Sequence, residues 1–180
     1  MTRLLRIAFS LIVPLATLLP GDLARATSVR RLSLEQMTSA SETIVEGRIE
    51  SVRSFWKGKR IWTEITLTVG RSFKGSRSAT LTFLQPGGRV ESPVPLAMIV
   101  PGVPPHREGE RGFYFLQPGG TAAENVVVGL MRGYVPVRRD GRGDYILSGG
   151  RRMTPGEFGE RIRRALAGAP RGPDGSGKER

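Results

Sequence analysis

Residues 43–69 read TIVEGRIESVRSFWKGKRIWTEITLTV, and they predict a β-hairpin. Apolar and polar side chains alternate from Arg60 to Val69, which is typical of a strand with one buried face. The residues before Gly58–Lys59 alternate as well, and this dipeptide suits a two-residue turn. Two alternating runs joined by so short a turn should pair as antiparallel strands.

One irregularity interrupts the first of these runs. Val45 and Ile49 share a face, but Val52 falls out of phase with them. One extra residue near Glu50–Ser51 would restore the alternation, because a β-bulge places two residues opposite one on the partner strand. We therefore predict a bulge there.

The rest of the chain is rich in turn signals and short apolar runs, since 24 glycines and 13 prolines are spread along it. Residues 85–110 carry so many prolines and glycines that we expect no long regular element in them. Further strands are predicted at Ala79–Leu84, at Arg111–Leu116, at Asn125–Val137 as one long strand, and at Tyr145–Leu147 after a hairpin turn at Asp140–Gly143.

Two capping boxes predict helices at the two ends of the folded region. Ser33 is followed three residues later by Gln36, and Thr154 is followed three residues later by Glu157. The first helix should be short, about two turns. The second should lie within residues 151–167, with its apolar residues at helical spacing.

The N-terminal residues 1–26 resemble a secretory leader. A short basic region is followed by an apolar stretch and by Ala24-Arg25-Ala26, which fits an A-x-A cleavage pattern. We expect a processed protein that is periplasmic or secreted and has no stable membrane span, with a retained anchor as the alternative. The predicted organisation continues with a β-domain at 27–150, a helix at 151–167 and a disordered tail at 168–180.

Composition excludes several kinds of site. The chain has no cysteine, so a disulfide scaffold, a cysteine nucleophile and a thiolate metal site are excluded. It has one histidine, so a site with two imidazoles is excluded too. The formal net charge is +12 and comes mainly from arginine. Such a charge attracts anionic polymers, although a general preference for arginine would produce it without any binding site.

The block from Ser39 to Gly75 resembles the opening of netrin-like modules, the OB-type barrel found in tissue inhibitors of metalloproteinases. It is also similar to a group of uncharacterised exported bacterial proteins, in which a Gly-Glu-Arg like that at 109–111 precedes an aromatic strand. The resemblance implies a closed five-stranded barrel. It implies no metalloproteinase inhibition here, because those inhibitors use an N-terminal cysteine that this chain lacks.

The fold class that we predict is therefore all-β: a small OB-like barrel of five or six antiparallel strands, with a short N-terminal helix and a C-terminal helix packed outside. Its interior should hold the apolar residues of the alternating strands. These are Ile61, Ile65, Leu67, Leu81 and Phe113.

The first hairpin offers a candidate binding surface. If Gly58–Lys59 forms the turn, Phe55 faces Trp62 across the strands. An exposed aromatic pair with cations beside it can stack a base or a sugar ring and attract its charge. Alternatively, the two rings cover the barrel or dock the C-terminal helix. We call this surface the basic aromatic face, and its residues are Arg53, Phe55, Lys57, Arg60 and Trp62.

Catalytic and metal-binding candidates are few. His106 lies in a proline-rich loop near Glu108 and Glu110, which could orient it as a general base, but a lone loop histidine is usually solvated. Asp140 and Asp144 flank a turn and could hold a cation weakly, although turns favour aspartate for backbone reasons. We therefore predict no catalytic residue, no metal ligand and no cofactor.

The resulting hypothesis is an exported, non-catalytic binding or interaction module. Its partner would be a protein or an anionic polymer outside the cytoplasm. Two alternatives remain open. One is a binder of nucleic acid or polysaccharide that uses the basic aromatic face, and the other is an extracytoplasmic hydrolase centred on His106 and Glu108.

Overall fold

The computed structural model describes residues 32–75, 77–119, 124–129 and 132–168. Within these ranges the chain is mostly β and forms two helices and ten strands. In chain order they are α1 (Leu34–Ala40), β1 (Thr43–Lys57), β2 (Arg60–Lys74), β3 (Thr80–Pro86), β4 (Gly88–Val90), β5 (Leu96–Met98), β6 (Arg111–Pro118), β7 (Asn125–Val127), β8 (Tyr134–Asp140), β9 (Gly143–Ser148), β10 (Arg151–Met153) and α2 (Pro155–Gly168).

The predicted first hairpin is confirmed together with its register. Lys57 pairs with Arg60, so the turn consists of two residues, and Gly58 adopts a φ of 63° that suits glycine. The predicted bulge is also present, because Ile49 pairs with Leu67 while Ser51 pairs with Thr66. The residue between Ile49 and Ser51 therefore has no opposite partner and the alternation is restored beyond it.

The main sheet is larger than predicted. Its eight strands follow the order β1-β2-β3-β7-β6-β8-β9-β10, and β6 also pairs with β1. We predicted five or six antiparallel strands; the described residues instead form a mixed sheet, because Leu84 of β3 pairs with Val126 of β7 in parallel. The short strands β4 and β5 form a separate antiparallel pair.

The prediction of one long strand at Asn125–Val137 is wrong. Strand β7 ends at Val127, and β8 begins at Tyr134. Gly129 has a φ of 60°, which ends the extended conformation, and the N–H of Gly133 donates to the carbonyl of Val128 at 2.8 Å. A Cβ at Gly133 would lie 2.7 Å from the carbonyl oxygen of Phe115, so the returning chain passes too close to β6 for any side chain.

The protein has two apolar clusters, and β6 belongs to both. Phe113 and Phe115 face the two helices, whereas Tyr114 and Leu116 face the space between β1, β2 and β3. All four side chains are fully buried. The residues predicted to be internal are buried as expected; these are Ile61, Ile65, Leu67, Leu81 and Phe113.

Both helices are present where capping boxes predicted them. At α1, the Gln36 N–H donates to the Ser33 hydroxyl and the Ser33 N–H donates to the Gln36 side chain. The second helix begins at Pro155, and residues 151–153 form β10 instead of the helix predicted there. The predicted leader and the tail beyond Gly168 lie outside the described residues. No helix in the described ranges is long and apolar enough to span a membrane.

We expect Thr154→Ala to lower the free energy of unfolding by about 1 kcal/mol, which is typical for loss of an N-cap. The Thr154 hydroxyl accepts from the Glu157 N–H at 3.2 Å, and the Glu157 carboxylate accepts from the Thr154 N–H at 2.7 Å. Chemical denaturation measures the change. Thr154→Ser is the control and should retain most of the stability; equal losses in both variants would contradict a capping role.

Candidate functional site

The connection between β5 and β6 positions the candidate site. We call residues 99–110 the strap. It is tied to two strands of the main sheet: the side-chain amide of Gln85 donates to the carbonyl of Pro104 at 3.3 Å, and the N–H of Gly109 donates to the carbonyl of Ile49 at 2.9 Å. These contacts hold the strap against β3 and β1 and thereby fix the position of His106.

His106 lies inside the protein, although we expected a solvated loop histidine. Its side chain has no solvent exposure. The imidazole packs edge-on against Tyr134, with ring centroids 4.5 Å apart, and edge-on against Phe83 at 5.9 Å. Tyr114 contributes a third ring at 6.2 Å. The prediction failed because the strap folds back onto the sheet and carries the ring into an aromatic cluster.

The buried imidazole lacks hydrogen bonds. Neither of its nitrogens has a partner in the described part of the chain. Glu110 Oε2 lies 4.0 Å from Nδ1, which exceeds hydrogen-bond distance. Leaving a buried donor and acceptor unpaired costs about 1–3 kcal/mol each, so the burial of this ring opposes folding unless a water or another group pairs with it.

The aromatic cluster is uncharged near neutral pH. Burial lowers the pKa of His106 to about 4, because the charged imidazolium would lose its hydration. Burial also raises the pKa of Tyr134 to about 12 and holds the pKa of Tyr114 far above its usual range, with Glu110 adding to both shifts. At pH 7 the site therefore presents a neutral imidazole, which has one donor and one acceptor, and two phenolic hydroxyls.

A cavity of about 320 Å³ opens beside His106, and we call it the first cavity. Three of the residues that line it are polar but uncharged, namely Gln85, Gln117 and His106. Most of the other lining residues are apolar or aromatic: Trp62, Leu84, Pro86, Val103, Pro104, Val126 and Val127. A mainly apolar wall with a few polar groups is the usual construction of a small-molecule site.

A second cavity of about 500 Å³ also borders the strap. It shares Gln85, Pro86, Val103, Pro104 and His106 with the first cavity and extends toward Ser54 and Thr63 on the first hairpin. The hydroxyls of these two residues lie 2.9 Å apart, and Thr63 also donates to a backbone carbonyl. The hydroxyl groups of Ser54 and Thr63 are therefore already paired.

The structure brings all five residues of the basic aromatic face together on one side of the hairpin. Phe55 pairs with Trp62, and Lys57 pairs with Arg60, two residues further along each strand. The Lys57 ammonium lies 5.5 Å from the centre of the Trp62 ring. Trp62 also contributes to the wall of the first cavity. The predicted surface thus adjoins the unpredicted cavity through this tryptophan.

Much of the positive charge near this face is compensated by carboxylates. Arg53 forms an ion pair with Glu64 at 3.3 Å, and Lys57 forms one with Glu124. Arg60 is exposed. The two carboxylates lower the net positive charge of this face and therefore its attraction for phosphate or sulfate, so we take the first cavity as the principal candidate site.

The other sequence candidates have structural partners. Asp140 forms an ion pair with Arg152, and Asp144 pairs with Arg111 and Arg139. Both aspartates therefore have a lowered pKa, mainly through hydrogen bonds from these arginines. No group of three or more potential metal ligands occurs in the ranges that the structure describes.

The two glutamates near His106 differ in position. Glu108 is exposed, whereas the Glu110 side chain is part-buried and lies closest to the imidazole. Gln85, Gln117 and Tyr114 were not predicted as site residues. The position of Tyr114 could have been found from the sequence, because alternation along a strand places this tyrosine on the face opposite Phe113 and Phe115.

No protein-family model, no curated protein and no solved structure matches this chain.

Proposed function

We propose that this chain is a non-catalytic binding module that holds a ligand in the first cavity, between Trp62 and His106. One observation carries the proposal: a cavity of about 320 Å³ has a mainly apolar wall with a few uncharged polar residues. A ligand that enters the cavity would displace water from these apolar walls, which favours binding.

The same geometry argues against the alternative of a hydrolase. A histidine that acts as a general base needs a hydrogen bond to the group that it activates and a pKa near the working pH. The imidazole of His106 has no hydrogen bond to a hydroxyl of the described residues, and its pKa of about 4 makes it a weak base at pH 7. Binding requires neither property.

The proposal also includes an OB-like barrel as the fold and a location outside the cytoplasm. Pairing of β1 with β2, β2 with β3, β3 with β7, β7 with β6, and β6 with β1 supports an OB-like barrel of the kind that the netrin-like resemblance implies. The leader-like residues 1–26 support export to the periplasm or the medium. A ligand site beside such a barrel would meet molecules outside the cytoplasm.

The proposal predicts that Val103→Trp abolishes ligand binding. Val103 lines both cavities, and an indole ring in its place would fill much of the first one. The full chain is incubated with a low-molecular-weight extract of bacterial cells and medium and then examined by native mass spectrometry. We expect a discrete noncovalent adduct on the unmodified chain and none on the variant.

Leu147→Trp is the matched control, because Leu147 is 52% exposed on β9 and contributes to neither cavity. This variant should keep the adduct. Absence of any adduct on the unmodified chain, or the same adduct on Val103→Trp, would contradict the proposed function. Circular dichroism spectra of both variants establish that a lost adduct does not reflect unfolding.

A further inference from the structure

We infer that the protein binds the surface of an anionic phospholipid membrane through the tip of the first hairpin and the neighbouring β4–β5 pair. This inference is independent of the first cavity and adds an interaction surface to the proposed function. Three features carry it: exposed apolar side chains in these two elements, cations without ion-pair partners, and the projection of the hairpin tip. We call this region the tip surface, and its residues are Trp56, Lys59, Arg60, Val94, Leu96 and Ile99.

Exposed apolar side chains are concentrated in one part of the fold. Among the described residues five large apolar side chains are strongly exposed, and the fifth, outside the tip surface, is Leu147 on β9. The other four belong to the tip surface: Trp56, Val94, Leu96 and Ile99. Ile99 is 89% exposed, so its side chain gains almost nothing from the core of the folded protein. Apolar side chains that gather on a surface usually mark a place that another molecule covers.

Backbone contacts at Gly87 bring the two elements together. The N–H of Gly87 donates to the carbonyl of Ile61 at 2.8 Å, and Ile61 pairs with Trp56 across the hairpin. On the other side, a Cβ at Gly87 would lie 2.8 Å from the carbonyl oxygen of Met98, the residue that precedes Ile99. Trp56 and Ile99 are thus each next to a residue that contacts Gly87, so they belong to the same part of the surface.

The tip of the hairpin, residues 56–60, extends past the third strand. Strand β2 pairs with β3 only as far as Trp62, which lies opposite Pro86. Beyond that point the two arms of the hairpin pair with each other as far as Lys57 and Arg60, the last pair before the turn. A projecting tip of this kind can touch a flat surface, whereas a cleft cannot.

The charge of the tip surface suits an anionic partner. Lys59 and Arg60 are exposed and form no ion pair with any described residue. Two neighbouring cations have carboxylate partners, namely Lys57 with Glu124 and Arg89 with Glu91. The uncompensated charge is therefore positive. Each free cation close to an anionic membrane should strengthen binding about fivefold.

An anionic bilayer suits this combination better than other occupants do. In a symmetric pair of copies the same surface would face itself, and the free cations Lys59 and Arg60 would repel their counterparts. A soluble polyanion would pair with the cations and leave the apolar side chains in water. A bilayer offers anionic headgroups to the cations and an apolar layer to Trp56 and Ile99, and indole rings favour that boundary.

The test reads the surroundings of Trp56 by fluorescence. The sequence has two tryptophans, so Trp62→Phe leaves Trp56 as the only one. Vesicles of equal parts phosphatidylglycerol and phosphatidylcholine should shift its emission to shorter wavelengths, and brominated lipid chains should quench it. Vesicles of phosphatidylcholine alone should bind at least about tenfold more weakly, because they offer the two free cations no net charge.

The leader-like residues 1–26 could bind lipid by themselves, so the full chain is compared with the chain from Thr27 that cleavage after Ala26 would leave. The leader contains no tryptophan, and the shorter chain keeps every described residue. We expect the same shift of Trp56 emission in both. A shift that only the full chain shows would belong to the leader and would contradict the inference.

Substitutions separate the apolar and the charged contributions. Ile99→Ser should weaken binding about tenfold, since one isoleucine side chain no longer leaves water. Lys59→Gln combined with Arg60→Gln should weaken binding to the anionic vesicles at least about tenfold and should change little with phosphatidylcholine alone. The controls are Leu147→Ser on β9 and Arg164→Gln on α2, whose side chains are also exposed. Both should bind as the tip without these substitutions does.

Three further results would overturn the inference. The first is an emission of Trp56 that anionic vesicles leave unchanged, because the apolar side chains would then stay in water. The second is an equal loss of binding in Leu147→Ser and Ile99→Ser, because contact with lipid would then not be specific to the tip surface. The third is a shift that appears without lipid as the protein concentration rises and that Ile99→Ser abolishes, because two copies would then cover this surface.

Discussion

Phe113→Ala is expected to lower the free energy of unfolding by about 3–5 kcal/mol, the range found when a large aromatic side chain is removed from a core. Phe113 is fully buried on β6, and its ring contacts Phe158 of α2 edge-on at a centroid distance of 4.9 Å. Phe73 of β2 lies 5.8 Å away on the same cluster. Removing the ring would leave a cavity where the C-terminal helix meets the sheet, and urea titration measures the loss.

Leu147→Ala provides the comparison for this substitution. Leu147 is 52% exposed, so shortening it should change the free energy of unfolding by no more than about 0.5 kcal/mol. A loss below about 1 kcal/mol in Phe113→Ala would show that α2 does not depend on this contact. It would also contradict the packing that connects the helix to β6.

Stability should fall by about 2–3 kcal/mol between pH 7 and pH 4.5 because His106 is buried in its neutral form. Its pKa is about 4 in the folded protein, against 6.5 for an ordinary histidine. Between these two values the unfolded chain binds a proton that the folded chain does not, so protons favour unfolding. The stabilisation is therefore complete above about pH 6.5 and is lost as the pH falls toward 4.

Since the sequence contains one histidine, this pH range reports on it with little interference. The carboxyl groups with a lowered pKa, such as Asp140, Asp144 and Glu157, affect stability mainly below their usual values of 3.8 and 4.5. Urea titrations at several pH values should show that the free energy of unfolding falls as the pH is lowered. His106→Phe should abolish this pH dependence.

Glu110→Gln tests whether the neighbouring carboxyl group, rather than burial of His106, causes the dependence of the free energy of unfolding on pH. Glu110, Tyr114 and Tyr134 are the titratable groups of the described chain that face the imidazole. Because burial is the cause of the lowered pKa of His106, the pH dependence of the free energy of unfolding should persist in Glu110→Gln. A slope that survives in His106→Phe would contradict the assignment to the imidazole.

The local parts of the fold were predictable because their signals are local. Alternation with a period of two, together with a two-residue turn, fixes the pairing of β1 with β2, and the phase change at Val52 reveals the bulge. Capping boxes reveal where both helices begin. The parallel pairing of β3 with β7 could not be predicted, because it depends on the path of a long connection and not on any nearby residue.

Part of the candidate site could be predicted because its signal is also local in the sequence. Phe55 and Trp62 follow from the hairpin register, so the basic aromatic face was visible in the sequence. The burial of His106 was not, because proline and glycine in the strap indicate an irregular path without giving its direction. Only the folded chain shows that the strap returns to β3 through Gln85 and carries the imidazole inside.

Strand β6 is enclosed on both of its faces, since Phe113 and Phe115 meet the helices and Tyr114 and Leu116 meet the opposite cluster. Each position along it must therefore satisfy neighbours from a different layer than the position before it. In a library of random single substitutions, this strand should tolerate the fewest replacements, and charged ones least of all.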